Sequence, residues 1–106
     1  MIVIAKRRLR EFWERYPDAE SWLRTWHKIA RKATWSDLKA VRQTYPSADG
    51  VTLESGNVVT VFNVSGNKYR MIVDLVFKSR RIYIKLILTH AEYNKNKWKA
   101  TLCHPK

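Results

Sequence analysis

The sequence predicts an α+β domain, with N-terminal helices packed on one face of a small antiparallel β-sheet. Three observations predict it. Apolar residues recur at helical spacing from Leu9 to Ala33, the period falls to two after Val58, and short turn clusters separate the later runs. At 106 residues the chain reads as one domain, 1–106, with a basic tail from about residue 94. Hydrophobic residues at 45% and aromatics at 12% supply enough apolar area to fold rather than stay disordered.

The elements follow in order. Ile2 to Ala5 is a short apolar run that can form a first strand. Leu9, Phe12, Trp13 and Tyr16 share one helical face, with charges on the other, and Pro17 ends or restarts the helix. Ala19, Trp22, Leu23, Trp26, Ile29, Ala30 and Ala33 form a second stripe. Asp18 and Glu20 at its start and Lys28, Arg31 and Lys32 near its end suit the helix dipole. The two helices are expected to form an antiparallel hairpin covering the sheet. Ser36 is the expected N-cap of a short third helix with Leu38 and Val41 inward, closed off by Pro46. Gly50 and Ser55-Gly56-Asn57 read as turns. Three strands follow, Val58 to Val64, Lys68 to Phe77 and Arg81 to Thr89, joined at Ser65-Gly66-Asn67 and Lys78-Ser79-Arg80 as an antiparallel meander.

Alternation assigns the faces. Tyr69, Met71, Val73, Leu75 and Phe77, with Ile82, Ile84, Leu86 and Leu88, are expected under the helices. The opposite face then carries Arg70, Arg81, Tyr83 and Lys85, a cationic and aromatic platform suited to RNA.

Charge narrows the partners. Lys and Arg total 21 against 9 acidic residues, a formal net charge of +12, so the chain attracts polyanions. No run approaches the roughly 18 apolar residues of a membrane span. Met1-Ile2-Val3-Ile4-Ala5, followed at once by Lys6-Arg7-Arg8, is too short for a secretory signal, and the expected compartment is the cytoplasm. The single Cys103 excludes an internal disulfide. There is no Gly-rich phosphate loop and no nucleophile elbow, and His27, His90 and His104 lack metal-ligand spacing. Neither cofactor nor metal is expected.

Two segments can carry chemistry. Around the 65–67 turn, Asn63, Asn67, Lys68, Tyr69 and Arg70 gather amides and cations. Arg70 can hold a phosphate through two hydrogen bonds. Asn67 suits either a turn or a site, whereas Asn63 inside a strand points to a site-facing amide. In Thr89-His90-Ala91-Glu92-Tyr93, His90 can move a proton near neutral pH and Tyr93 can stack on a base. The same segment also reads as a capping box, Thr89 to Glu92. Metal-free RNA cleavage needs little more, because the ribose 2′-hydroxyl is itself the nucleophile. The protein must align the groups, move two protons and stabilise charge on the phosphorane.

At these segments the sequence resembles the HigB toxins of the RelE-like superfamily. The resemblance rests on Phe62 to Arg70, on Tyr83-Ile84-Lys85 and on Thr89 to Tyr93, supported by Leu9 to Trp13 and Tyr45 to Ala48. It implies a RelE-like fold and a type II toxin that cleaves mRNA, often on the ribosome. It also implies neutralisation by a HigA-type helix-turn-helix antitoxin, with operator DNA bound only through that antitoxin. Carried over by position, the catalytic candidates are Arg70, Lys85, His90 and Tyr93, and the RNA-binding candidates Asn63, Asn67, Lys68, Arg81 and Tyr83. Lys85 stands where the family often has Arg, and Asn94 where it often has an acid. Two other classes fit the charge alone: a non-catalytic nucleic-acid-binding module, and a basic domain that meets an acidic protein.

Overall fold

The computed structural model describes residues 1–103. His104, Lys106 and the Cys103 thiol lie outside the described residues. In chain order the elements are β1 (Ile2–Ile4), α1 (Arg7–Arg15), a 3₁₀ turn (Pro17–Ala19), α2 (Glu20–Lys32), α3 (Leu38–Thr44), β2 (Asp49–Thr52), β3 (Val58–Val64), β4 (Tyr69–Val76), β5 (Arg81–Thr89), α4 (His90–Asn94) and α5 (Lys97–Cys103). The α+β class holds.

The first helix begins where Leu9 and Phe12 can be buried and stops before Pro17, which opens the 3₁₀ turn. α2 buries Leu23, Trp26 and Ala30. The helices run antiparallel: Lys6 and Arg7 share a groove with His27, and Trp13 lies under Arg24. Met1 is buried, and its main-chain nitrogen donates to the carbonyls of Ala30, Arg31 and Ala33 where α2 ends. The cap of α3 is Asp37 rather than Ser36. Asp37 has the extended backbone a cap requires, and its carboxylate accepts the Ala40 amide at 2.8 Å.

The sheet has five strands in the order β1-β5-β4-β3-β2. It is mixed rather than wholly antiparallel, because β1 pairs with β5 in parallel, Ile2 with Arg81 and Ile4 with Tyr83. α1 and α2 lie between β1 and the later strands in sequence, so β1 can return beside β5 in the same direction. Gly50 belongs to strand β2, not to a turn. A Cβ at Gly50 would approach the Leu38 side chain to 3.2 Å, so the residue answers close packing by α3.

Alternation holds along β4 but breaks in β5. Ile72 pairs with Leu86 while Val73 pairs with Ile84, which leaves Lys85 as the extra residue of a bulge. Beyond it the phase inverts: Ile87 packs on the helix side, and Leu86 and Leu88 turn to the opposite face. That face is therefore not a purely polar platform. Leu53, Val59, Val61, Ile72 and Trp98 form a second small core, with Leu86, Leu88 and Tyr93 packed against it. The expectation of helices on one face alone is corrected accordingly. α1, α2 and α3 cover the larger core, while Trp98 on α5 covers part of the other side. The cause is apolar area: once the bulge turns Leu86 and Leu88 outward, the exposed row needs a cover.

Candidate active site

The site is built at one end of the second face, where β3, β4 and α4 converge. Asn63 and Arg70 are direct cross-strand partners, and Arg70 also faces Leu88 on β5. Both polar side chains alternate away from the large core, since Phe62, Val64, Tyr69 and Met71 fill it. The β3–β4 connection is tight because Ser65 and Gly66 adopt positive φ, 52° and 73°. This turn returns Asn67 to Asn63, whose Nδ2 donates to the Asn67 side-chain oxygen at 3.3 Å. The Arg70 guanidinium is steadied by the main-chain carbonyls of Asn67, at 3.2 Å, and Tyr69, at 3.1 Å. It lies 5.6 Å from the centre of the Tyr93 ring.

α4 supplies the remaining groups. The His90 amide donates to the Lys68 carbonyl at 3.0 Å, so the helix starts beside the β3–β4 turn. The capping box is present: the Thr89 hydroxyl accepts the Glu92 amide and the Glu92 carboxylate accepts the Thr89 amide. Hydrogen bonds from Thr89 hold the Glu92 carboxyl below its ordinary range. His90 is exposed, with its Nε2 3.4 Å from the Asn94 side-chain nitrogen. Tyr93, one turn after His90, stacks on Trp98 with ring centres 5.3 Å apart, and the Trp98 indole N–H donates to the Tyr93 carbonyl at 3.1 Å. Burial first, then the Asp49 charge, raises the Tyr93 phenol above its ordinary value, against the smaller pull of Arg70. Tyr93 is thus a protonated phenol at neutral pH, able to donate but not to accept a proton from an alcohol.

The structure gathers Asn63, Asn67, Arg70 and Tyr93, and His90 joins them through its backbone, at the start of α4 beside the β3–β4 turn, while its imidazole contacts Asn94. Tyr83 and Lys85 form a separate pair, with the ammonium 5.7 Å from the ring centre. Lys85 lies on β5 and His90 opens α4 five residues later, about 16 Å further along the chain at ~3.3 Å per residue. Arg81 is exposed at the start of β5, opposite Val76. Lys68 is held by Asp18, Nζ to carboxylate at 2.9 Å, and Tyr69 donates to the same carboxylate at 2.6 Å. Tyr69 belongs to the large core, so this cation is engaged on the helix side.

Sequence reasoning missed two neighbours of Tyr93. Trp98 had a signal: a tryptophan in an otherwise polar tail is costly to leave exposed. Asp49 had none, because its nearness to Tyr93 depends on β2 joining the sheet edge.

A family model for HigB_toxin, the RelE-like toxic component of a toxin–antitoxin system, matches residues 19–96. The chain belongs to this family. The matched span contains both the Asn63–Arg70 and the Thr89–Tyr93 segments. Among relatives, the mRNA interferase toxin HigB of Escherichia coli strain K12 is 28% identical over 94 residues, 89% of this chain and 88% of the relative. The mRNA interferase HigB of Shigella flexneri gives the same figures. That of Escherichia coli O6:H1 is 28% identical over 95 residues, 90% of each chain. No helix among the described residues of this HigB-family chain is long and apolar enough to cross a membrane.

Proposed function

We propose that the chain is a cytoplasmic mRNA interferase, a toxin that cleaves mRNA on the ribosome and is neutralised by a HigA-type helix-turn-helix antitoxin. One observation supports the reading: the Arg70 guanidinium lies 5.6 Å from the centre of the Tyr93 ring at the end of the sheet face where the helix opened by His90 begins, in a family of toxins whose relatives are named mRNA interferases. Operator DNA is met only through the antitoxin.

Arg70 holds the non-bridging oxygens of the scissile phosphate and stabilises charge as the phosphorane forms. His90 takes the 2′-hydroxyl proton, and Tyr93 donates to the departing 5′-oxygen. Asn63 and Asn67, bonded to one another, shape the wall beside Arg70. Lys85, on β5 and about 16 Å along the chain from His90, grips a neighbouring phosphate together with Tyr83 rather than the scissile one, and Arg81 extends that track. The nucleophile belongs to the substrate, so the reaction runs without a metal.

The test is induction in a tightly regulated host, with mRNA integrity read by primer extension, followed by cleavage on purified ribosomes in the presence of EDTA. The wild type is expected to cut mRNA and to keep cutting in EDTA, while Arg70→Ala and His90→Ala leave mRNA whole. Intact mRNA with the wild type, or equal degradation by all three, would refute the reading. Salt-sensitive binding without cleavage would favour the non-catalytic module instead.

A further inference from the structure

Asp74 is the one aspartate among the described residues whose side chain the fold leaves unused. Asp37 caps α3, Asp18 holds Lys68 and Tyr69, and Asp49 meets Arg42. The ion pairs among the described residues run Arg24–Glu20, Arg42–Asp49 and Lys68–Asp18, and none involves Asp74. Asp74 sits half-buried on β4 in a pocket of about 310 Å³, beside Leu53, Asn57, Val59, Lys85 and Leu86. Leu53 and Val59 are buried members of the second small core and Leu86 packs against it, so apolar walls surround a few polar groups. β1 pairs with β5 only as far as Tyr83, and beyond that point Arg8 donates to the Lys85 carbonyl at 3.3 Å, tying α1 to the bulge that carries Lys85. Arg70, Ile72 and Asp74 alternate onto one face of β4, since Tyr69, Met71 and Val73 fill the large core. Asp74 therefore shares the face of the proposed cleavage site, about 13 Å along the strand from Arg70 at ~3.3 Å per residue.

We propose that this pocket takes one base of the RNA strand, a guanine, and that the Asp74 carboxylate reads it. The inference rests on the RNA-cleaving reading above and adds a sequence preference to it. Charge selects a base over the backbone: a carboxylate repels phosphate, so an unengaged aspartate on the face that meets RNA is suited to base edges. Hydrogen bonding selects which base. A carboxylate only accepts, and guanine alone presents two adjacent donors, N1–H and the N2 amine, on its Watson–Crick edge. Adenine and cytosine present one donor beside an acceptor, and uracil one donor between two acceptors, so each sets a lone pair against the carboxylate. Asn57 and Lys85, lining the same pocket, carry donors for the guanine O6 and for the adjoining phosphate. Leu53, Val59 and Leu86 supply apolar contact for the flat of the ring.

The experiment reads fluorescence anisotropy on the full chain, with 2′-O-methyl uridine hexamers that cannot be cleaved and that carry one guanine, one inosine or one adenine. Inosine differs from guanosine only in lacking the N2 amine. The wild type is expected to bind the guanine strand at least about fivefold tighter than the inosine or adenine strand, the loss expected for a hydrogen bond to a charged group. Asp74→Asn should shrink that margin below about twofold while binding the all-uridine hexamer at least as tightly as the wild type, since it removes a repulsive charge. Asp74→Ala should lose the margin too, so the result does not hang on the new amide. A wild type that does not tell guanine from inosine, or an Asp74→Asn that shifts every strand alike, overturns the proposal. So does an Asp74→Asn that keeps the margin but no longer captures the antitoxin, which would make the pocket a protein interface. Nothing is cut in this assay, so its outcome is independent of cleavage. mRNA cut by a wild type that shows no guanine margin sinks the pocket and leaves the cleavage reading, and a guanine margin with intact mRNA does the reverse.

Discussion

At the scale of single residues, the proposed chemistry asks few side chains of the protein, and Arg70 is the best prepared of them. The guanidinium is oriented by two main-chain carbonyls before any substrate arrives, so little ordering remains at the moment of reaction. Arg70→Ala is expected to lower the single-turnover cleavage rate about 10²- to 10³-fold, and Arg70→Lys should recover only part of it, because an ammonium lacks the fork. His90→Ala should cost about 10²- to 10⁴-fold. The Asp18–Tyr69–Lys68 cluster is a residue-scale device of another kind. Hydrogen bonds from Tyr69 and then Lys68 lower the Asp18 pKa, and the bond to Asp18 pushes the Tyr69 phenol up to about 12. The signs differ. Asp18 contributes stability above its ordinary 3.8, which is lost as pH falls through the lowered folded value. Tyr69 contributes stability below its ordinary 10.0, which is lost as pH rises towards about 12. Thermal melts across pH should therefore show a loss on each side, and Tyr69→Phe should flatten the alkaline one. An unchanged alkaline limb in that variant would remove the phenol from the account.

Elements explain how those residues come to be neighbours. α4 has only five residues, too few to be stable by backbone bonds alone, and its capping box offsets that weakness. Thr89→Ala is expected to cost about 1 kcal/mol in chemical denaturation. It should also lower cleavage, because His90 and Tyr93 are both set by the start of this helix. A variant that loses stability but keeps full activity would show that the cap does not position the site. The bulge at Lys85 matters as much: by inverting the phase of β5 it turns Leu86 and Leu88 towards the second face. The β3–β4 turn, with Ser65 and Gly66 at positive φ, brings Asn67 back to Asn63.

Over the whole molecule, one sheet separates two cores of unequal size. The larger lies under α1, α2 and α3, and the smaller depends on Trp98, which is 4% exposed. Trp98 also backs Tyr93, so the small core and the site share a residue. Trp98→Ala is expected to destabilise by about 3–5 kcal/mol. Its activity should fall even at temperatures where circular dichroism shows the fold intact. Trp98→Phe, which keeps an aromatic stack but loses the N–H to the Tyr93 carbonyl, should lie between. Within the large core the Trp26 indole nitrogen is buried with no hydrogen-bond partner among the described residues, and the ring packs edge-on against Phe62.

The sequence by itself determined the α+β class, the first two helices, the β3–β4 and β4–β5 hairpins and the capping box, and it named the residues proposed here for the site. Each is a matter of local chemistry: periodicity, turn residues with positive φ and a cap four residues long leave their mark within a few positions of the chain. Tertiary structure alone decided that β1 runs parallel to β5, that Gly50 lies in a strand under Leu38, that Asp18 claims Lys68, and that Trp98 and Asp49 stand beside Tyr93. Apart from Tyr93 and Trp98, five residues apart, those pairings join residues distant in the chain. They are fixed by which apolar face needs cover and which charge finds a partner, and neither can be read from neighbouring positions.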